Sequence, residues 1–480
     1  MIDISKLFDE SIRESVGCTE PAAIGLATAV AFNAIHGRLP ADYRVKRLNL
    51  SPGKIGQSIE NITVRASRGI FKNALQVGIP YRQGLKGPFN AAALGLFCDP
   101  ARELELFTDL EEEKAQEAAS LLKAEKVAVV PIHEWDNVRI EAEVTAGGKK
   151  GIARISGDHS NISYIEVEGK PVFEKPETPG ELDKLAGIER VSDFIEIIES
   201  GLTPRAKGKK ARKRLEKALK TNFKALLSTE ELFIKLKRRT FGLAMKDFAA
   251  QGDLAGDYVN ITREKVSLAV EARMAGFNIK VMTCAGSGNQ GLVATLPLII
   301  IAWSEYNRKH PQDRIDWQST IDLLPERSPG DWEKLVKATG LVYLIANYMS
   351  LRTGKLSASC GCDTTTGIGV TAGIAYYLTP ESAENRTGII GQAINHMGGS
   401  IIGMICDGGK EGCALKAAVA TGVAVESALL ACREPDLAYI DGIVNKDAMI
   451  TLQRISSISR AMAGADRKII EFLQDTPLPN

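Results

Sequence analysis

The apolar residues of this chain change period near residue 180, and that switch limits the folds open to it. Upstream, "NITVRASRGIF" and "VAVVPIHEWDNVRIEAEVTAGGKKGIARISGDHSNISYIEVEGKPVF" alternate apolar with polar residues between Gly, Asn and Asp breaks, the period-two pattern of strands. "YRVKRLNLSPG" reads the same way. A helix, "DLEEEKAQEAASLLKAEK", interrupts them. "CTEPAAIGLATAVAFNAIHG" reads as a buried helix with Thr19 as N-cap, Pro21 in its first turn and its end near Gly37, which leaves Cys18 just before a helix start. Downstream of the proline-rich "KPETPGELDK" the period is helical almost throughout. The expected fold is an α+β domain over residues 1–180 followed by a mainly α-helical catalytic domain over 181–480, with a basic insertion near 204–260.

Charge and hydropathy narrow the partners. The chain has 480 residues, 60 Lys+Arg against 59 Asp+Glu, and a formal charge of +1, so no global field draws nucleic acid or anionic lipid. "TPRAKGKKARKRLEKALK" is basic but has no interleaved aromatics, and reads as a solvated helix face. The longest central apolar run, "LVATLPLIIIAW", contains a proline and falls short of the ~20 residues a bilayer span needs. The N-terminal "MIDISKLFDESIRES" is acidic and amphipathic, unlike a secretory signal. The reading is a cytoplasmic protein whose partner is a small molecule, with no nucleic acid and no membrane; assembly into a homo-oligomer is left open.

Of the eight cysteines, six fall in the carboxyl-terminal half, and a chain this long in a reducing compartment does not use them as a disulfide framework. Paired C-x-x-C knuckles with histidine partners are absent, which argues against structural zinc, and so is a C-x-x-C beside a βαβ unit. "MICDGGKEGC" places Cys406 and Cys413 at the ends of a glycine-rich turn, and "SASCGCD" adds Cys360 and Cys362. Separated thiols on two loops at helix starts suit an iron-sulfur cluster, and the helix macrodipole at Cys413 would favour a thiolate. Cys98, Cys284 and Cys432 stand in apolar or small-residue settings and read as inert core.

In order along the chain, "GCTEP", "FKNALQVGIPYRQGLKG", "DHSNI", "GSGNQG", "LSASCGC" and "GMICDGGKEGCALK" resemble the L-cysteine desulfidase family, related to the alpha chain of the iron-sulfur L-serine dehydratases. The resemblance runs from Cys18 to Leu430. It implies a [4Fe-4S] cluster held by three cysteines with one iron open to substrate. Cys406 and Cys413 match the family's final pair and Cys360 the cysteine before it, with Cys362 a second candidate for that place. The implied reaction is β-elimination of L-cysteine to pyruvate, ammonia and hydrogen sulfide. The alternatives are serine dehydration on the same cluster, or a non-enzymatic redox sensor.

Elimination needs a Lewis acid on the leaving group, a base for the α-proton and an anchor for the carboxylate. Cys18 and Glu20, at a helix start, are the candidate catalytic pair, with the Cys18 thiol expected to be acidified there; the alternative place for Cys18 is as a cluster ligand. Ser287 and Asn289 in "GSGNQG", which precedes the helix "LVATLPLIII", are candidate substrate anchors. His159, Asn161, Lys72, Asn73 and Lys86 are further polar candidates, while His396 reads as equally suited to a structural role.

Overall fold

Two apolar cores organise the chain, and its first residues belong to the second of them. The computed structural model describes residues 2–37, 59–80, 84–175, 179–203, 206–401, 403–435, 437 and 439–475. Helix α1 (Ile4–Ser11) starts at Asp3, whose carboxylate accepts from the N–H groups of Ser5 and Lys6. It sends Leu7 and Phe8 into the helical core. Strand β1 (Glu14–Val16) and helix α2 (Thr19–Ile35) follow. Cys18 is the N-cap of α2; the expected cap, Thr19, is already helical.

Every residue of α2 is buried, because a sheet covers one side and another helix the other. The sheet contains β2 (Ile59–Ser67), β3 (Val127–Ile132), β4 (Arg139–Ala146), β5 (Lys149–Ser156), β6 (Ile162–Val167) and β7 (Lys170–Glu174), in the order β3-β2-β4-β5-β6-β7. Only β2 and β3 run parallel; Val64 of β2 lies between Val129 of β3 and Ala142 of β4. Between β2 and β3 come helices α3 (Arg68–Ala74), α4 (Gly87–Gly95) and α5 (Glu112–Lys123). A Cβ on Gly95 of α4 would stand 2.3 Å from the Gly25 carbonyl oxygen, so α2 and α4 meet backbone to backbone. The strand expected through "NITVRASRGIF" ends at Ser67 and becomes α3, where Ile70 and Phe71 are both buried, which alternation would forbid. The strand read in "YRVKRLNLSPG" lies outside the described residues.

The second half is helical: α6 (Val191–Gly201), α7 (Ala206–Lys235), α8 (Phe241–Gln251), α9 (Tyr258–Met274), α10 (Gly288–Lys309), α11 (Thr320–Arg327), α12 (Pro329–Thr353), α13 (Ile368–Leu378), α14 (Arg386–Ser400), α15 (Cys413–Arg433), α16 (Ala448–Ala461) and α17 (Ala465–Asp475). A short strand, β8 (Lys280–Met282), pairs antiparallel with β1, Ser15 facing Val281. The basic face of α7 pairs with acids of this same chain: Arg214 and Lys210 with Asp9, Lys217 with Glu14, and Arg212 with Glu333. Helix α15 is long and apolar enough by length and composition to cross a membrane, yet its Ala417, Ala424, Val425 and Ala428 are buried in the helical core. Helix α17 folds back onto α3, burying Ile470 in the first core.

Candidate active site

Two loops that precede helices pair at the centre of the site. Ser359 and Ile405 form an isolated antiparallel bridge, in which Cys360 N–H donates to the Met404 carbonyl at 2.8 Å and Cys406 N–H to that of Ala358 at 2.7 Å. Cys362 opens a π-helical turn, Cys362–Gly367, that leads into α13. The Gln290 side chain anchors this turn by accepting from the hydroxyls of Thr365 and Thr366 at 2.9 and 2.8 Å. A Cβ at Gly361 would stand 2.5 Å from Gln290 Nε2, so any larger residue there would displace the side chain that holds the turn. Cys413 begins α15, and Gly408 and Gly409 of its loop lie against the carbonyls of Lys72 and Asn73.

Cys360, Cys362, Cys406 and Cys413 line one cavity, together with Cys18 and Glu20 from the start of α2. Cys18 Sγ donates to Glu20 Oε2 at 2.8 Å, and Asn73 Nδ2 donates to the other oxygen at 3.0 Å. Asn73 Oδ1 in turn accepts from Cys406 Sγ at 3.5 Å, so one amide joins the carboxylate to the cysteine loop. His159, from the turn between β5 and β6, also lines the cavity; it is 3% exposed and neither ring nitrogen has a partner. Ser287 caps α10 by accepting from Gln290 N–H, and Asn289 stands in the first turn.

Burial sets the protonation states. It disfavours imidazolium at His159 and pulls its pKa down. At Glu20 burial pushes the carboxyl up, but the hydrogen bonds from Cys18 and Asn73 oppose it and the carboxyl is held below the usual range. The acidic thiol expected at Cys18 is overturned: burial and then the Glu20 charge push it well above the ordinary value, more than a helix start can offset. The same correction applies to Cys413, which burial and the Cys406 thiolate push up to about 12. Hydrogen bonding to Cys360 and then burial raise Cys362 likewise, with Cys413 and Cys406 adding to the shift.

Of the residues singled out in the sequence, Cys18, Glu20, Asn73, His159, Ser287, Asn289, Cys360, Cys406 and Cys413 meet at this cavity. Two do not. Lys72 is buried in an ion pair, its Nζ 2.5 Å from Asp466 Oδ1, because α17 packs over α3. Asn161 turns back on its own β-turn, donating to the Ser156 carbonyl at 2.8 Å and accepting from Lys175 Nζ at 2.7 Å. Lys86 pairs with Glu411 at 3.5 Å on the cysteine loop. Cys98 and Cys284 are buried in the two cores and Cys432 is half-buried against Thr379.

The residue that sequence reading missed is Arg273, at the end of α9. It is 1% exposed on the cavity wall, donates from Nη1 to Asn289 Oδ1 at 2.8 Å, and keeps Nε and Nη2 without partners. A buried guanidinium with two free N–H atoms is costly unless an anion completes it. The available signal was a lone cation in the apolar stretch "VSLAVEARMAG".

The donor set fits an iron-sulfur cluster. The four thiols of the two cysteine loops line one cavity with that of Cys18, but among the described residues no three His, Cys, Asp or Glu converge on a single ion position. Thiols spread around a space suit irons at separate corners better than one tetrahedral zinc ion.

Residues 101–471 match the serine dehydratase alpha chain family. A UPF0597 protein of Desulfatibacillum aliphaticivorans is 30% identical over 98% of this chain and 97% of its own length. One from Clostridioides difficile is 30% identical over 98% and 99%, and one from Thermosipho africanus 27% over the same shares. The matched span takes in the loops of all four cavity thiols and the whole of α9 with Arg273, and by it the chain belongs to the serine dehydratase alpha chain family, a family of lyases.

Proposed function

We propose that the chain eliminates sulfide from L-cysteine, giving pyruvate and ammonia, with a [4Fe-4S] cluster held by Cys360, Cys406 and Cys413. The observation that carries this reading is one buried cavity in which those thiols share the space with a hydrogen-bonded thiol–carboxylate pair and an incompletely paired arginine. When bound, the cluster supplies a thiophilic iron for the departing sulfur.

The chain's own groups do the rest. Arg273 Nε and Nη2 take the substrate carboxylate, held in line by Asn289, and the start of α10 at Ser287 adds a favourable dipole. Cys18 and Glu20 take the α-proton as a unit: the thiol passes its proton to the carboxylate over 2.8 Å as the sulfur accepts the proton from Cα. The electron pair left on Cα forms the Cα–Cβ double bond as the Cβ–S bond breaks. The released aminoacrylate hydrolyses to pyruvate and ammonia. His159, neutral in its buried place, orients the amino group.

Serine dehydration is the second reading, favoured by the description of the family that matches the chain. An anaerobic assay of the reconstituted protein with cysteine and serine side by side, following sulfide and pyruvate, separates them. Sulfide and pyruvate in equal amounts from cysteine support the proposal. Pyruvate from serine with no sulfide from cysteine overturns it in favour of the dehydratase.

A further inference from the structure

A second cavity, about 480 Å³, shares no lining residue with the first and has the size of a small-molecule site. The start of α14, at Thr387, opens on it without a side-chain cap, beside Lys446; the starts of α6 and α16 reach the same wall but are capped by the carboxylates of Asp193 and Asp447. Helix starts present backbone N–H groups and the positive end of the dipole, which favours an anion.

The independent observation is a set of buried polar atoms on the same wall. Gln392 Nε2, Asn395 Oδ1 and His396 Nδ1 all lack hydrogen-bond partners, and Asn395 and His396 are only 8% and 9% exposed. Asn395 donates its amide N–H to the Asn445 carbonyl at 2.8 Å. His396 Nε2 lies 2.8 Å from the Leu437 carbonyl, which can only accept, so this tautomer carries its proton on Nε2 and presents Nδ1 as an acceptor. The wall therefore holds two adjacent acceptors that want a donor, beside one amide donor and one uncapped helix start that want an anion. A dicarboxylate would leave the acceptors unpaired, the few protons of a phosphate would serve them only in part, and a simple amine would leave the α14 start unpaired. A zwitterion completes both.

We propose that this cavity binds a free α-amino acid, its carboxylate at the start of α14 with Gln392 and Lys446, and its ammonium group at Asn395 Oδ1 and His396 Nδ1. The same helix runs on to Ser400 and the loop that carries Cys406, which joins this site to the catalytic cavity through one element. The inference does not depend on the elimination chemistry.

Anaerobic equilibrium dialysis of the reconstituted full chain tests it, with each standard amino acid in radiolabelled form at roughly 1 mM, cysteine and serine being presented to the Cys18→Ala chain to prevent turnover. Phosphate, succinate and propylamine probe the two halves of the site separately. The expected result is an amino acid whose binding falls tenfold or more in Gln392→Ala and in Lys446→Glu and is unchanged in Glu20→Gln; circular dichroism checks that each variant is folded. Three results would overturn the proposal: no amino acid with binding sensitive to both cavity variants, amino-acid binding lost in Glu20→Gln alone, or phosphate or succinate showing that sensitivity in place of every amino acid.

Discussion

Cys18 and Glu20 form one unit because both are buried and their side chains are 2.8 Å apart, joined by one hydrogen bond. Replacing the thiol removes the group that meets the substrate but no proposed cluster ligand. Cys18→Ala is therefore expected to keep the iron and visible absorption of the parent while sulfide release falls by at least about 10²-fold, the scale of a lost general base. A colourless variant after identical reconstitution would make Cys18 a ligand. At Arg273 the expected effect is on binding: Arg273→Gln keeps bulk and polarity but loses the bidentate cation, so KM for cysteine is expected to rise far more than kcat falls. Steady-state kinetics at saturating substrate measure the two separately. The ambiguity between neighbouring thiols is also a residue-scale matter. Cys360 shares the bridge with the Cys406 loop, whereas Cys362 stands in the π-turn behind it. Cys360→Ser is expected to lose the charge-transfer absorption and Cys362→Ser to keep most of it, with the reverse outcome moving the ligand by two residues.

Among the elements, α3 and α17 hold the cysteine loop in place. The Lys72 and Asp466 side chains are 0% and 1% exposed, and the lysine carbonyl packs on Gly408. Removing one charge strands the other in the core. Asp466→Leu is expected to lower stability by about 3–5 kcal/mol, and the double variant Lys72→Met with Asp466→Leu to recover most of it, as read by denaturant unfolding. Equal losses in the single and double variants would mean that packing, and not the stranded charge, carries the cost. The position of Lys72 in "FKNALQVGIPYRQGLKG" gave no hint of this partner, because Asp466 lies in a helix almost four hundred residues further on. Asn73, the next residue, points the other way along the same helix and does reach the site. Adjacent residues of a helix face different directions, so a motif marks a segment and the packing decides which of its side chains serve the chemistry.

Across the whole molecule, the first residues are tied to the helical half by β1 and β8 and by Glu14, which meets Lys217 of α7 and Lys280 of β8. Burial raises the Glu14 carboxyl, but hydrogen bonds and charge from the two lysines outweigh it and bring the pKa from 4.5 to about 2. Because the folded value is the lower one, this contribution is complete above the unfolded pKa of 4.5 and is lost as pH falls toward 2. Glu14→Gln is expected to have a lower Tm than the parent at neutral pH, with the gap narrowing as pH falls from 4.5 toward about 2. A gap that stays constant with pH would assign it to packing. The sequence by itself determined the local periods: strands until "KPETPGELDK", helices after it, and a buried helix behind Cys18, because side-chain alternation and helix spacing are properties of a few consecutive residues. The same holds for the glycine turn between Cys406 and Cys413. Only the tertiary structure decided that α1 joins the helical core, that Arg273 lines the cavity with Nε and Nη2 unpartnered while Lys72 does not reach it, and that the Cys18 thiol stays neutral. Each of these depends on how much water is excluded and which charge is left nearby, and those are set by segments far apart in the chain.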